Sequence, residues 1–379
     1  MGRLFKNHPD AATSLRYEWF WRLRRNLIQA EKYDEVDELL ILLARAQLDN
    51  LDDIDQSDYA FEAAIFAMGR QNLVEDAKSL YDHIRTASTV RDILLDKEMQ
   101  ALWGDLEIHA GEGLSKARLT EVNYREENIK SDDATLRDYS RLLRAYVGNG
   151  QLGQALEVGE AQYENWNRIV AEGSDGFWFV NAYMATLHYA GEYDESDAVF
   201  EKLMTIGLDQ ENDLVNMILN HTSFLVDRGD FKKSLDTVSF YEDNEDFRAS
   251  DYGMTFLWYA KACSQYRLGQ IGEAEKTYKE KFLPISDSNP GSKTLLLLCM
   301  ERDEEVAESL ISRLQDEGSR PGVLPVFVMG TSPIIEGRFG DKIDQKLKAI
   351  AKREDVQSEF KKYGRWIKIN GPAEIWNEF

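Results

Sequence analysis

A short pattern of apolar and polar positions recurs along the whole chain. In YAGEYDESDAVFEKL, residues 189–203, a glycine precedes Tyr193 by two positions, a small residue follows it by three and an aromatic by seven. Equivalent positions are Tyr33 (EKYDEV), Val74 (NLVEDA), Leu114 (EGLSKA), Leu152 (GQLGQA), Phe231 (GDFKKS), Ile271 (GQIGEA) and Glu304 (RDEEVA). Their spacings are 41, 40, 38, 41, 38, 40 and 33 residues. The +3 position holds Ala or Ser in seven of eight copies, and the +7 position a large apolar residue in six, so the period is not a product of composition.

Offsets of 0, +3 and +7 fall on one face of a helix. A small residue in the middle of that face admits the backbone of a second helix. Gly150, Gly191, Gly229 and Gly269 stand where a preceding helix must end. That preceding helix is visible as a further amphipathic run, in DYSRLLRAYVGNG, WFVNAYMATLHYAG and FLWYAKACSQYRLG. Each unit therefore reads as a helix–turn–helix hairpin that cannot bury its apolar face alone, and stacking of neighbours would bury it. The expectation is an all-α chain: a right-handed α-solenoid of about eight hairpins over residues 1–318, with no sheet of more than two short strands.

The period is lost after SRPGVLPVFVMGTSPIIEG, where Pro321, Pro325 and Pro333 interrupt regular helix. Residues 341–362 read as one long amphipathic helix with Ile343, Leu347, Ile350 and Val356 on its apolar side. Charge separates the two parts: residues 319–379 carry a net +3, against −26 for 1–318. A basic tail behind an acidic array is expected to fold back and cap its open end, over Val306, Leu310 and Ile311.

The hairpins resemble tetratricopeptide repeats. GQLGQALEVGE, AGEYDESDAVFEKL and LGQIGEAEKTYKE match the family's second-helix signature of glycine, an aromatic or aliphatic residue, alanine, then an aromatic, although the spacing is longer than the family's 34 and the usual inter-repeat proline is missing. The resemblance implies that the first helix of each hairpin lines a concave binding face. Counting back 12, 8 and 5 residues from the repeat positions then gives an inward stripe. Its candidate groove residues, with their neighbours, are Trp21, Arg25, Arg137, Arg141, Arg144, Trp178, Asn181, His188, Asn220, Tyr259 and Tyr266. No hairpin has the Lys and Asn pair with which family members clamp a terminal carboxylate. Arg137, Arg141 and Arg144 share one helical face, and either pair with nearby carboxylates or form a basic groove for an acidic or extended peptide.

Catalytic signatures are missing. NPGSKT lacks the first glycine of a phosphate-binding loop, and HExxH and GxSxG do not occur. LDNLDDIDQSD lacks the glycine and the final glutamate of a calcium loop. The five histidines have no metal-ligand spacing, so neither metal nor cofactor is expected. A net charge of −23 argues against nucleic acid as a partner, and no run approaches the ~20 apolar residues of a membrane span. Cys263 and Cys299 read as two buried thiols rather than a disulfide. The start, MGRLFKNHPD, has no apolar signal core, so cytoplasm is the expected compartment, with periplasm the alternative for a processed chain. The reading is a non-enzymatic scaffold for a protein or peptide. The alternatives are a sensor or regulatory array of a bacterial signalling or envelope system and, behind it, an enzyme on a helical toroid.

Overall fold

A computed structural model describes residues 17–47, 54–208, 213–244, 246–330 and 337–371. The fold is all-α. Among the described residues the only strands are β1 (Val328–Gly330) and β2 (Ile367–Ile369), which form a two-stranded sheet.

Helices follow the sequence period in pairs. They are α1 (Tyr17–Gln29) with α2 (Tyr33–Gln47), and α3 (Ile54–Arg70) with the short α4 (Val74–Lys78). A third unit has its first arm split into α5 (Ala87–Leu95) and α6 (Trp103–Ala110), ahead of α7 (Ser115–Asn128). Next come α8 (Leu136–Gly148) with α9 (Leu152–Tyr163), the extra helix α10 (Trp166–Glu172), and α11 (Ser174–Ala190) with α12 (Tyr193–Met204). The last pairs are α13 (Leu214–Arg228) with α14 (Phe231–Glu242), α15 (Asp251–Arg267) with α16 (Ile271–Thr277), and α17 (Pro290–Cys299) with α18 (Asp303–Gln315).

The turns show why the period holds. Six of the eight repeat residues are the first residue of a second helix, and the other two lie one residue away. In seven turns the residue just past the first helix has φ between 56° and 88°: Glu31, Asn72, Gly150, Gly191, Gly229, Gly269 and Glu301. The next N–H reaches back five residues to a carbonyl at 2.8–2.9 Å in all seven, from Leu73 to Met68 and from Arg302 to Leu297, for example. This is the Schellman closure, which satisfies the last carbonyls of a helix and needs a left-handed residue. Four turns use glycine for it; Glu31, Asn72 and Glu301 adopt the conformation without glycine. The small residues beyond the turns, Ala77, Ala155, Ser196, Ser234, Ala274 and Ala307, are buried against their partner helices. Ser196 Oγ donates to the Met184 carbonyl 12 residues back, and Ser234 Oγ repeats that bond to Thr222.

The chain forms two compact units. One runs to Glu121 and takes in Lys361–Ile367; the other holds Val122–Phe360 and the chain from Lys368. In the first, α1 packs on α2, α2 on α3 and α5 on α6. Its C-terminal piece is stitched to the loop after α5: Lys97 N–H donates to Tyr363 O at 2.8 Å, and Arg365 donates to the Leu94 and Leu95 carbonyls. Arg365 also lies over the Trp103 ring and pairs with Glu107.

In the second unit the first helices pack in succession, α8 on α11, α11 on α13, α13 on α15 and α15 on α17. The tail then supplies two helices, α19 (Phe339–Ala351) and α20 (Glu354–Phe360), where the sequence predicts one. The break is stabilised locally: Gln357 donates to the Ala351 carbonyl, and Asp355 accepts from Val356 N–H and pairs with Arg353. Bending here lets both helices rest on α18, whose Val306 and Leu310 are fully buried. Phe327 and Phe360, both fully buried, stack with centroids 3.7 Å apart. The tail also goes further than an end cap, since α19 packs on α13 and α17 as well.

The expectation of two free thiols is also overturned. Cys263 on α15 and Cys299 on α17 are joined in a disulfide, with Cα atoms 5.7 Å apart. Spacing along the chain hides this pairing. The two lie on successive first helices that pack side by side, so the repeat brings together residues 36 positions apart.

Candidate functional site

A group of polar side chains is buried where α11 meets α13 in the second unit. Residues 176–188 of α11 are buried apart from the half-buried Trp178, far more than one apolar stripe would require. Amide and imidazole groups placed there need partners. Asn220 Nδ2 donates to Asn181 Oδ1 at 3.0 Å, and His188 Nε2 meets Asp227 Oδ2 at 2.7 Å. Both bonds join residues 39 apart, one repeat period, so each links equivalent faces of neighbouring first helices.

Asp227 also receives the tail. Arg338 Nη1 donates to the same Oδ2 at 2.9 Å, while its Nη2 reaches Asp341 Oδ1 at 3.1 Å. The guanidinium lies over the Tyr189 ring, 5.2 Å from its centroid. The Phe339 ring lies perpendicular to that of Phe231, with centroids 5.0 Å apart, and beneath the Arg267 guanidinium at 4.8 Å. Gly340 completes the contact, since a Cβ built there would stand 1.7 Å from Asp227 Oδ1. The Asp227 carboxylate therefore sits against the first turn of α19, where the helix dipole favours an anion. Tyr189, Asp227 and Arg267 belong to three successive first helices or their exits, so one short segment is read by three repeats.

Beside this lies a second cluster. Asp197, on α12, is buried and accepts from Arg228 at 3.1 and 2.8 Å and from Lys233 at 2.6 Å. Burial would raise its carboxyl, but the Arg228 and Lys233 hydrogen bonds and the neighbouring charges outweigh that and hold it below the usual carboxylate range. His221, stacked on Phe200 with centroids 3.8 Å apart, stands 3.7 Å from Asp197, too far for a hydrogen bond. Burial pushes His221 down to about 3, so it is neutral at physiological pH. An acidic residue in a second helix bound to a cation at the end of the next first helix or just past it recurs elsewhere, as Asp37–Arg70 and Glu275–Arg302.

The residues predicted from sequence scatter across different environments. Asn181, His188, Asn220 and Tyr259 are buried and bonded or packed between first helices. Trp178 and Tyr266 are half-buried. Arg25 is exposed on α1, and the Trp21 side chain lies outside the described residues. Arg137 stands 3.7 Å from Asp175 and Arg141 3.6 Å from Asp138, which are loose ion pairs, while Arg144 is half-buried. Sequence reasoning missed Tyr189, Asp227, Arg267 and the Arg338–Phe339–Gly340 segment as one locus. The signal was partly present: the tail's positive charge, and DRGD at residues 227–230, where two carboxylates flank a turn.

Among the described residues no group of three His, Cys, Asp or Glu side chains is placed to hold a metal ion, and no helix is long and apolar enough to cross a membrane. No protein-family model, curated protein or solved structure matches the chain.

Proposed function

We propose that the chain is a non-enzymatic array of tetratricopeptide-like hairpins that holds a protein or peptide segment along its first helices. The observation that carries this reading is the treatment of residues 338–351, distant in sequence, which side chains of three successive repeats receive together. The polar groups that converge in the second unit, Asn181–Asn220, His188–Asp227 and the Asp197 cluster, are engaged in joining helices to each other. That use fits a binding scaffold. The test is a full-length chain carrying a photo-crosslinking amino acid at Arg25, Arg137 or Tyr266, irradiated in its source cells. Protein adducts from these positions, and not from the exposed Lys232 or Glu308, are expected; adducts from the latter pair alone would overturn the reading.

A second reading, a regulatory array in a bacterial envelope, is favoured by one feature. The buried Cys263–Cys299 disulfide suits an oxidising compartment rather than a reducing cytoplasm. Thiol alkylation of the protein denatured in rapidly quenched lysates distinguishes them: cysteines that resist alkylation until reduced support the envelope, freely alkylated ones the cytoplasm.

A further inference from the structure

We infer that Tyr189, Asp227, Phe231 and Arg267 form a receptor for a helix that begins Arg–aromatic–Gly, that the chain's own Arg338–Phe339–Gly340 fills it as an internal ligand, and that a partner engages the array by presenting the same chemistry. The inference rests on the scaffold reading above and names the class of partner: a cationic amphipathic helix led by arginine.

Each position of the triplet is read by a different physical requirement. Arginine is needed because Asp227 Oδ2, already bonded to His188, offers a fixed carboxylate 2.9 Å from the guanidinium, and Tyr189 offers an aromatic face. Lysine would supply the charge without the planar group. An aromatic is needed because the next side chain lies between the Phe231 ring, to which it is perpendicular, and the Arg267 guanidinium, beside the left-handed turn at Gly229, where a Cβ would stand 3.7 Å from that of Phe339. Glycine is needed because Asp227 Oδ1 occupies the space of a Cβ, and Asp227 cannot withdraw while His188 and Arg338 both hold it. Beyond the triplet, Lys346 pairs with Asp303 at 2.6 Å and Ile343 and Ile350 are buried, so a basic helix with an apolar face follows. The array's strong negative charge favours such a ligand over the acidic peptide expected from Arg137, Arg141 and Arg144.

An internal ligand at millimolar effective concentration masks the receptor. The probe is the synthetic peptide GRFGDKIDQKLKAIA, residues 337–351, labelled for fluorescence anisotropy and titrated with full-length protein. The Arg338→Ala/Phe339→Ala chain, whose receptor side chains are intact but whose internal ligand has lost its two anchors, is expected to bind it at least ~10-fold more tightly than the wild type. Adding Asp227→Asn should abolish that binding. Equal binding to wild type and double variant, or no binding to a double variant with native circular dichroism, would overturn the inference. Native-state hydrogen exchange on the unmodified chain keeps the test open if the double variant does not fold. Amides of α19 should exchange about 100-fold faster than the buried amides of α18, because a releasable ligand opens locally. Equal protection would make the segment an inseparable part of the fold and sink the proposal. The two ideas fail separately: crosslinks from Arg25 or Arg137 without peptide binding would leave the scaffold reading standing.

Discussion

Asp197, on the second helix of one hairpin, is held by both terminal nitrogens of Arg228, at the end of the next hairpin's first helix, at distances of 3.1 and 2.8 Å. Both side chains are buried, and Asp230 supplies Arg228 with a second carboxylate at 3.2 Å. Removing Asp197 leaves the buried Arg228 charge with only the exposed Asp230 as partner, which is far more costly than losing an exposed pair. Asp197→Asn should therefore destabilise by about 3 kcal/mol in urea unfolding. Glu35→Gln, which breaks the exposed Lys32–Glu35 pair, should change stability by less than about 0.5 kcal/mol.

The same cluster makes stability depend on pH. Buried His221 titrates at about 3 in the folded chain, below the ordinary value of 6.5. The unfolded chain therefore takes up the proton first as pH falls. The contribution is full above the ordinary histidine value and is lost on acidification, by about 2 kcal/mol between pH 7 and pH 5. Asp197 is also held low, so its contribution persists above the ordinary carboxylate range and disappears only as pH falls through its own lowered value. The groups facing His221 are Asp197, Arg228, Lys233 and His188. Denaturant melts at pH 7 and pH 5 should show the loss in the wild type and a nearly flat response in His221→Gln.

Turn geometry gives a pair of opposite predictions. Gly150 has φ of 77° and open space around its missing Cβ, so Gly150→Ala tests conformation alone and should cost about 1 kcal/mol. Glu301 has φ of 62° without being glycine. Glu301→Gly should stabilise by about 0.5 kcal/mol, a left-handed penalty relieved against the loss of an exposed ion pair with Arg267. Thermal melts moving the same way for both would contradict the shared Schellman closure.

Overpacking probes the small-residue row. Ala155 and Ala274 are completely buried against first helices, and leucine at either should cost ~1–3 kcal/mol. Unchanged melting temperatures for both would mean that these positions do not set the helix–helix distance.

Local chemistry was legible in the sequence because it repeats. Glycine, a helix start, a small residue and a large one recur at fixed offsets, and helical geometry turns those offsets into faces. Where a copy departed, the reason lay in space. Gly159 stands at a +7 position that elsewhere is large, and Tyr183 fills the room: a Cβ on Gly159 would meet its ring at 2.3 Å. The groove was less legible, because the stripe that the repeat logic marks as a ligand surface includes Asn181, His188 and Asn220, which are buried against neighbouring helices. No offset rule could reveal that Asp227 meets Arg338, a pair 111 residues apart. Charge asymmetry indicated that the tail would fold back, not which carboxylate would receive it.

The disulfide offers the last test, and its magnitude follows from chain length. Cys263 and Cys299 close a loop of 36 residues across two adjacent first helices. Loop-closure entropy for that length predicts about 4 kcal/mol of stabilisation, acting through the unfolded state. Both sulfurs are fully buried, so reductant should not reach them in the folded chain, and mild treatment should leave the melting temperature unchanged. Unfolding in denaturant with a strong reductant present should show the loss. Cys263→Ala/Cys299→Ala should reproduce it and abolish the effect of reductant, with a small added cost for the lost side-chain volume. Equal midpoints with and without reductant in the wild type would mean that the two thiols are not joined in the protein as it folds. The same result would remove the support for an oxidising compartment while leaving the hairpin packing and the Asp227 receptor untouched.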